Sequence, residues 1–243
     1  MTSVTLYLSN LNALQPYIDR NGLVDYNRLK DDEWLRDQIN YIKLVNIENM
    51  SHDEEFAFWL NAYNILTLKG VCMELDLDPH WKGNVSYWSK VRFFFLRRFN
   101  VAGRKMNLWF LENKILRGRF KDPRIHFAIN CASKSCPNLP ERLFAPKDLD
   151  RYLNMLSINF INDKDHVFLN EEEKILYLNP IFKWYKKDFK AHGGVKKFIS
   201  KYWQQSEESI FETFQIKYLE YDWSINSQDS HKKLLKIDVI SKT

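Results

Sequence analysis

The spacing of apolar residues predicts helices at the start of the chain. Residues 4–14, VTLYLSNLNAL, place leucines at helical intervals, and residues 31–45, DDEWLRDQINYIKLV, continue the pattern after an acidic first turn. We expect residues 1–50 to form a helical extension that packs on the rest of the chain.

The best-marked helix begins at Ser51. Ser51 and Glu54 have the spacing of a capping box, and the helix is expected to run through EEFAFWLNAYNILTLKGV to Gly70. It is apolar nearly all the way round, which predicts a buried central helix. Its two polar exceptions, Asn61 and Asn64, share one face. We expect them to brace a nearby loop rather than to act directly in catalysis.

The rest of the chain alternates short strands with short helices. We predict a hairpin around Gly103 in LRRFNVAGRKMNL, a helix from Asn107 to Gly118, a buried strand in RIHFAIN, a helix after Pro146, a hairpin in HVFLNEEEKILYLN, helices after Pro180 and Gly194, and a last strand in IKYLEYDWSIN. The fold class is α+β, a single domain in which the central helix packs on a small, mainly antiparallel sheet. The domain is expected to span residues 51–226, followed by a flexible tail over residues 227–243.

Composition limits the class of protein. The chain has 243 residues, of which 45% are hydrophobic, and no run approaches the roughly 18 apolar residues of a membrane helix. The N-terminus lacks the pattern of a signal peptide. Three cysteines are too few for a secreted disulfide framework. These features predict a cytoplasmic protein with free thiols, and no cofactor is expected.

Charge is distributed unevenly along the chain. Residues 1–81 carry 13 acids and 6 bases, whereas residues 82–124 carry 12 bases and 2 acids. The basic stretch SYWSKVRFFFLRRF interleaves aromatic residues with Arg92, Arg97 and Arg98, a pattern typical of surfaces that bind an anionic partner or a membrane. Pairing of this stretch with the acidic half of the same domain is the favoured alternative. No nucleic-acid-binding motif is present.

The richest concentration of reactive residues is IHFAINCASKSC. If RIHFAIN is a strand, His126, Ala128 and Asn130 share a face that leads into a turn with small residues. Ser133 and Ser135 add hydroxyl groups to that turn.

Three chemistries fit this segment. In the first, Cys136 is a nucleophile activated by His126, because a turn brings it back over that face, while strand alternation points Cys131 away. Glu112, Asn61 or Asn64 would orient the imidazole, and backbone amides near Ser135 would hold an oxyanion. In the second, Cys131 and Cys136 form a reversible disulfide, although their C-x4-C spacing is a weak indication. In the third, His126 and both cysteines bind zinc, but no fourth ligand is evident, so no metal is predicted. Against all three, free cysteines are commonly inert and buried.

Three motifs in this order resemble the family named domain of unknown function 547. They are FWLNAYNILTLKGV, VAGRKMNLWFLENKILR and DPRIHFAINCASKSCPNL, and the resemblance covers roughly residues 50–225, including IFKWYKKDF. It implies functional positions at Asn61, Tyr63, Asn64, Glu112, His126, Cys131 and Cys136. Members of the family often have histidine where this chain has Asn113. If that histidine were the general base, this protein would be inactive or would use His126 instead.

Together these observations predict a thiol-dependent hydrolase or acyl transferase. An α+β domain with Cys, His and Asn is analogous to papain-like and transglutaminase-like enzymes, and its substrate would be a peptide, a protein or a small acyl compound. The principal alternative is a non-catalytic module that binds an anionic partner, and a redox or zinc role comes third.

Overall fold

Helices dominate the structure. The computed structural model describes residues 11–204 and 213–229. Helix α1 (Tyr26–Lys30) and helix α2 (Glu33–Leu44) precede the long helix α3 (His52–Leu77). Helix α2 confirms the prediction from residues 31–45. The helix predicted over residues 4–14 falls mostly outside the described residues.

The other helices and all the strands are short. The helices are α4 (Tyr87–Lys90), α5 (Leu108–Phe110), α6 (Ile125–Ala128), α7 (Leu149–Ile161), α8 (Ile181–Trp184), α9 (Lys186–Phe189) and α10 (Val195–Tyr202). The strands are β1 (Phe99–Val101), β2 (Arg104–Met106), β3 (Val167–Asn170), β4 (Ile175–Leu178) and β5 (Gln215–Tyr218). Helices α4 and α5 continue into π-helical segments, Val91–Leu96 and Leu111–Phe120.

Helix α3 is the centre of the larger core. Ser51 and Glu54 form the predicted capping box, with the Ser51 amide donating to Glu54 Oε2 at 2.8 Å. The helix does not end at Gly70 but runs to Leu77. Glycine at position 70 allows the Phe93 ring to pack close to the helix backbone, because a Cβ at this position would lie 3.1 Å from the ring. The principal neighbours of helix α3 are other helices rather than the sheets.

The strands form two small sheets. β1 and β2 make the hairpin predicted around Gly103, and β3 and β4 make the second predicted hairpin. β5 adds to β4 in parallel, so the second sheet is mixed and contains a helical crossover that the hairpin pattern did not predict. The α+β class is confirmed, while the analogy to papain-like and transglutaminase-like enzymes stays a prediction.

The RIHFAIN segment is not a strand. Residues 125–128 form helix α6, and only Ile129 and Asn130 after it approach extended geometry. Asp122 starts the turn, because its side chain accepts from the Arg124 amide and its carbonyl accepts from the Ile125 amide. All four residues of α6 are buried. The helix joins two cores, since Ile125 and Ala128 pack in the α3 core and Phe127 packs in the core around β4 and α10.

Ser227, the predicted first residue of the flexible tail, is attached to the rest of the domain. Ser227 is buried and its strand-like bridge to Val24 attaches it to the N-terminal region. Residues 230–243 lie outside the described residues, so the flexible tail stays a prediction.

Candidate active site

A cavity of about 300 Å³ lies where α6, α8 and the two π-helical segments meet. Its lining comprises Tyr63, Lys90, Phe94, Phe95, Trp109, Glu112, Asn113, His126, Ile129, Cys131, Cys136, Ile181, Trp184, Tyr185, Tyr221 and Trp223. It therefore brings together four of the predicted site residues, namely Glu112, His126, Cys131 and Cys136. π-Helical turns are frequent at functional sites, and here they supply part of the wall.

Asn61 and Asn64 lie behind this cavity and brace its loops, as predicted. The Asn61 amide group donates to the Phe144 carbonyl at 2.9 Å and accepts from the Phe144 amide at 2.8 Å. The Asn64 side chain donates to the Ala128 carbonyl and accepts from the Asn130 amide, both at 2.9 Å. Each asparagine thus replaces the backbone partners that an irregular buried segment lacks.

Loss of one of these braces is expected to destabilise the fold. Alanine at Asn64 leaves the Ala128 carbonyl and the Asn130 amide buried without partners, so the free energy of unfolding should fall by about 2 kcal/mol. Urea denaturation measures the change. Alanine at the exposed Asn100 is the control and should have little effect. Equal stability of both variants would contradict the bracing role.

The loop after α6 is held in a strained conformation. Ala132 has φ of 64°, which is unfavourable for a residue with a Cβ. Its amide donates to Asn130 Oδ1 at 2.8 Å, and its carbonyl accepts from the Asn226 amide. The Asn130 side chain also donates to the Pro137 carbonyl at 2.6 Å. Such strain is maintained where the surroundings enforce one geometry, and here it is next to Cys131.

The predicted oxyanion site near Ser135 is not formed. The amides of Lys134, Ser135 and Cys136 donate to the carbonyls of Ser224, Asp222 and Ser133 respectively. The Ser135 hydroxyl accepts from the Asp222 amide at 2.9 Å. Because these donors are occupied by the chain itself, Ser135 braces the loop rather than facing a reacting group.

The two cysteines of this loop have different environments. Cys136 is 6% exposed, and burial raises the pKa of its thiol. Cys131 is partly exposed, and its interaction with the Cys136 side chain, together with hydrogen bonds to Ser133 and Tyr221, lowers the pKa of its thiol. The Cys131 amide donates to Cys136 Sγ at 3.0 Å. The Cys131 sulfur lies 2.9 Å from Ser133 Oγ and 3.3 Å from the Tyr221 hydroxyl. The directions of these two shifts favour Cys131 as the thiolate, whereas strand alternation favoured Cys136.

His126 is oriented by a residue that the sequence analysis missed. Its Nε2 lies 2.8 Å from Asp188 Oδ2, and Arg117 holds the same carboxylate with Nε at 2.6 Å. Burial lowers the pKa of His126, so the neutral ring donates from Nε2 and Nδ1 is unprotonated. Neither cysteine hydrogen-bonds His126, so the predicted Cys136–His126 pair is not present. Tyr185 stacks on the imidazole with ring centroids 3.9 Å apart.

The depressed pKa of His126 makes stability depend on pH. The unfolded chain binds the His126 proton more readily than the folded chain, so this group destabilises the fold as pH falls below about 6.5. An NMR titration of the imidazole should give a midpoint below that value. In Asp188→Asn the midpoint should fall further, because the carboxylate raises the pKa. A wild-type midpoint at or above 6.5 would contradict this environment.

Glu112 was expected to orient His126, but it makes no hydrogen bond to the imidazole. Its carboxylate accepts from the Tyr185 hydroxyl at 2.5 Å and from the Tyr63 hydroxyl at 3.3 Å. Burial, with the negative charge of Glu112, raises the pKa of both tyrosines, which keeps them as donors. Glu112 therefore forms a second polar group in the cavity wall beside the His126–Asp188 pair.

Several residues of the site were not singled out from sequence. Asp188 and Tyr185 come from the IFKWYKKDF segment, Tyr221 from the last extended stretch, and Lys90 from the basic stretch. The only available signal was the inclusion of IFKWYKKDF in the family resemblance. Asn113, the position where relatives often have histidine, lines the cavity and accepts a hydrogen bond from Arg117.

The basic stretch is partly neutralised within the domain. Arg92 and Arg97 both pair with Glu74 on α3, and Arg119 pairs with Glu55 on the same helix. Arg98 is exposed. Internal pairing was the favoured alternative, and two of the three predicted anion-binding arginines are engaged in it.

Two other predictions concern metal and membrane. In residues 11–204 and 213–229, no group of three His, Cys, Asp or Glu side chains is placed to hold a metal, so His126, Cys131 and Cys136 do not form the zinc site considered above. Within the same residues no helix combines the length and apolar character required to cross a bilayer.

The comparison with protein families agrees with the motifs. Residues 47–161 match the family described as protein of unknown function, DUF547. The match includes Asn61, Glu112, His126 and both loop cysteines and ends before Tyr185, Asp188 and Tyr221. No curated protein and no solved structure matches the chain significantly. The resemblance that the three motifs predicted is thus found again over residues 47–161, which are similar to the DUF547 family.

Proposed function

We propose that this protein is a thiol-dependent acyl transferase or hydrolase in which Cys131 is the nucleophile. The observation that carries the proposal is the position of Cys131, partly exposed in a cavity with largely aromatic walls, with its sulfur 2.9 Å from Ser133 Oγ and 3.3 Å from the Tyr221 hydroxyl. These contacts agree with the lowered pKa of its thiol. A cysteine is reactive as its thiolate, and a partly exposed thiolate in a concave apolar pocket is typical of catalysis rather than packing.

The proposed first step is acylation. The Cys131 thiolate attacks the carbonyl carbon of an ester, thioester or amide, forming a C–S bond and breaking the bond to the leaving group, which departs with the electron pair and takes up a proton. Water or an acceptor amine or alcohol then attacks the thioester and releases the Cys131 thiolate. Hydrogen bonds from the Ser133 and Tyr221 hydroxyls stabilise the thiolate in both its attacking and its leaving role.

His126 is the proposed base for the second step. Asp188 accepts a hydrogen bond from Nε2, and Nδ1 makes no hydrogen bond to any described residue. An unprotonated ring nitrogen at the cavity wall is suited to remove a proton from water or from the acceptor. This arrangement retains the predicted histidine base and replaces Glu112 with Asp188 as its orienting group.

A burst experiment tests the proposal. With p-nitrophenyl acetate, the protein should release p-nitrophenolate in a phase stoichiometric with enzyme, or in sustained turnover if deacylation is fast. Cys131→Ala should abolish both, and Cys136→Ala should retain them with a reduced rate. Release that is unchanged in Cys131→Ala, or no release above the buffer rate from the wild-type protein, would contradict the proposal.

Thiol redox chemistry is a second candidate, because the two cysteines lie side by side, with Cys136 Sγ accepting from the Cys131 amide at 3.0 Å. A low-pKa thiol beside a buried partner is the arrangement of a resolving pair. Attack of the Cys131 thiolate on glutathione disulfide would give a mixed disulfide and release one glutathione, and attack by Cys136 would release the second. An intramolecular disulfide that forms under glutathione disulfide without any acyl chemistry would favour this candidate.

A further inference from the structure

The cavity contains a cation that the site described above does not use. Lys90, at the end of α4, lines the cavity, and its Nζ lies 3.8 Å from the centroid of the Trp223 ring. Among the described residues no carboxylate lies within salt-bridge distance of this ammonium group. Arg92, two residues further along the chain, already has a carboxylate partner in Glu74.

Lys90 and the proposed nucleophile, Cys131, line the same cavity. Partial burial lowers the pKa of Lys90, and the charge of the Cys131 thiolate raises it. The carboxylate of the cavity, Glu112, is instead satisfied by the hydroxyls of Tyr63 and Tyr185. The cavity thus contains Lys90, a cation without a carboxylate partner among the described residues, and Glu112, an acid whose hydrogen bonds are made by two tyrosine hydroxyls.

The walls near Lys90 are aromatic. Trp223 packs against Trp184 at a centroid distance of 5.5 Å and against Tyr221 at 4.5 Å. Phe95 and Trp109 stack at 5.6 Å, and both are more than a third exposed, so the cavity mouth is apolar as well. A ligand that fits these walls has an apolar or aromatic body, and the free cation favours a negative charge on it.

We infer that the cavity binds acyl compounds that carry a free carboxylate on an apolar body, with the carboxylate paired to Lys90 and the body between the aromatic side chains. That the ligand is an acyl compound rests on the proposed function, since Lys90 would hold the substrate while Cys131 attacks its carbonyl group. A volume of about 300 Å³ accommodates a small ligand of this class rather than a folded protein.

Binding of three probes of similar shape tests the inference. Calorimetric titration compares 3-phenylpropionate, 3-phenylpropanamide and 3-phenylpropylammonium at pH 7. The carboxylate should bind at least tenfold more tightly than the amide, and the ammonium should bind most weakly. Lys90→Gln should remove the advantage of the carboxylate, and Lys90→Arg should retain it.

The variant Cys131→Ala separates this inference from the proposed function. It should bind 3-phenylpropionate at least as tightly as the wild-type protein does, because binding requires no thiol and the variant lacks the thiolate charge that acts on Lys90. Carboxylate binding without acyl transfer would leave the subsite intact and remove the proposed chemistry. Equal or tighter binding of the amide or ammonium, or a carboxylate preference that persists in Lys90→Gln, would overturn the inference.

Discussion

Replacing Cys131 with alanine is expected to remove the fast phase of thiol alkylation. In the wild-type protein, iodoacetamide should modify one cysteine with a pH midpoint below the value of about 8.5 for a free thiol. The rate at pH 7 should fall at least about tenfold in the variant, because Cys72 and Cys136 are buried and burial raises the pKa of both thiols. The rate is measured by quenching the alkylation at a series of times and determining the mass of the intact protein by mass spectrometry.

Two substitutions at Cys136 provide the matched controls. Cys136→Ala removes the side chain that contributes most to lowering the pKa of Cys131, so the fast phase should persist with a higher midpoint. Cys136→Ser supplies a hydroxyl donor in its place and should return the midpoint toward the wild-type value. A fast phase lost in Cys136→Ala but retained in Cys131→Ala would assign the reactive thiol to Cys136 instead.

Alanine at Glu74 should produce the largest loss of stability, about 3–5 kcal/mol. The Glu74 side chain is 1% exposed and accepts from both Arg92 and Arg97, and the Arg97 side chain is itself 9% exposed. Without the carboxylate, the Arg97 guanidinium stays buried and unpaired. Chemical denaturation gives the free energy of unfolding of both proteins.

The control for this loss lies two residues further along the same helix. Asp76 is 59% exposed and lies 3.8 Å from Lys30, so Asp76→Ala should cost no more than about 1 kcal/mol. A Glu74 variant as stable as the Asp76 variant would show that the Glu74 pair contributes little to folding.

Local signals in the sequence were sufficient to predict many elements. The capping box at Ser51, the turn at Gly103 and the proline before α8 each depend on neighbouring residues, and all three are found where they were expected. The end of α3 was not predictable in this way. A glycine at position 70 is typical of a helix end, but here the glycine is required by the packing of Phe93, whose position is known only from the fold.

The error at RIHFAIN has a similar origin. A short segment with only four strongly apolar positions, Ile125, Phe127, Ala128 and Ile129, fits a strand and a buried helix equally well, and tertiary packing decides between them. The turn at Asp122 starts a helix, which removes the alternation that had separated the two cysteines. The preference for Cys136 depended on that alternation.

The candidate site was located correctly as a segment but not as a set of contacts. Glu112, His126, Cys131 and Cys136 share one cavity, whereas the partner of His126 comes from Asp188, 62 residues away. Lone acids in a basic segment such as KKDF carry no local sign of such a role. Long-range pairing of this kind depends on how the two cores pack around α6.

The most direct test of the account is to identify the atom that becomes acylated. After brief reaction with p-nitrophenyl acetate, acid quench and proteolysis, peptide mass mapping locates the acetyl group, and hydroxylamine sensitivity distinguishes a thioester from an amide or ester. The account predicts one hydroxylamine-sensitive acetyl group on Cys131. Acetylation of Cys136 or Cys72, or labelling confined to lysines, would contradict it.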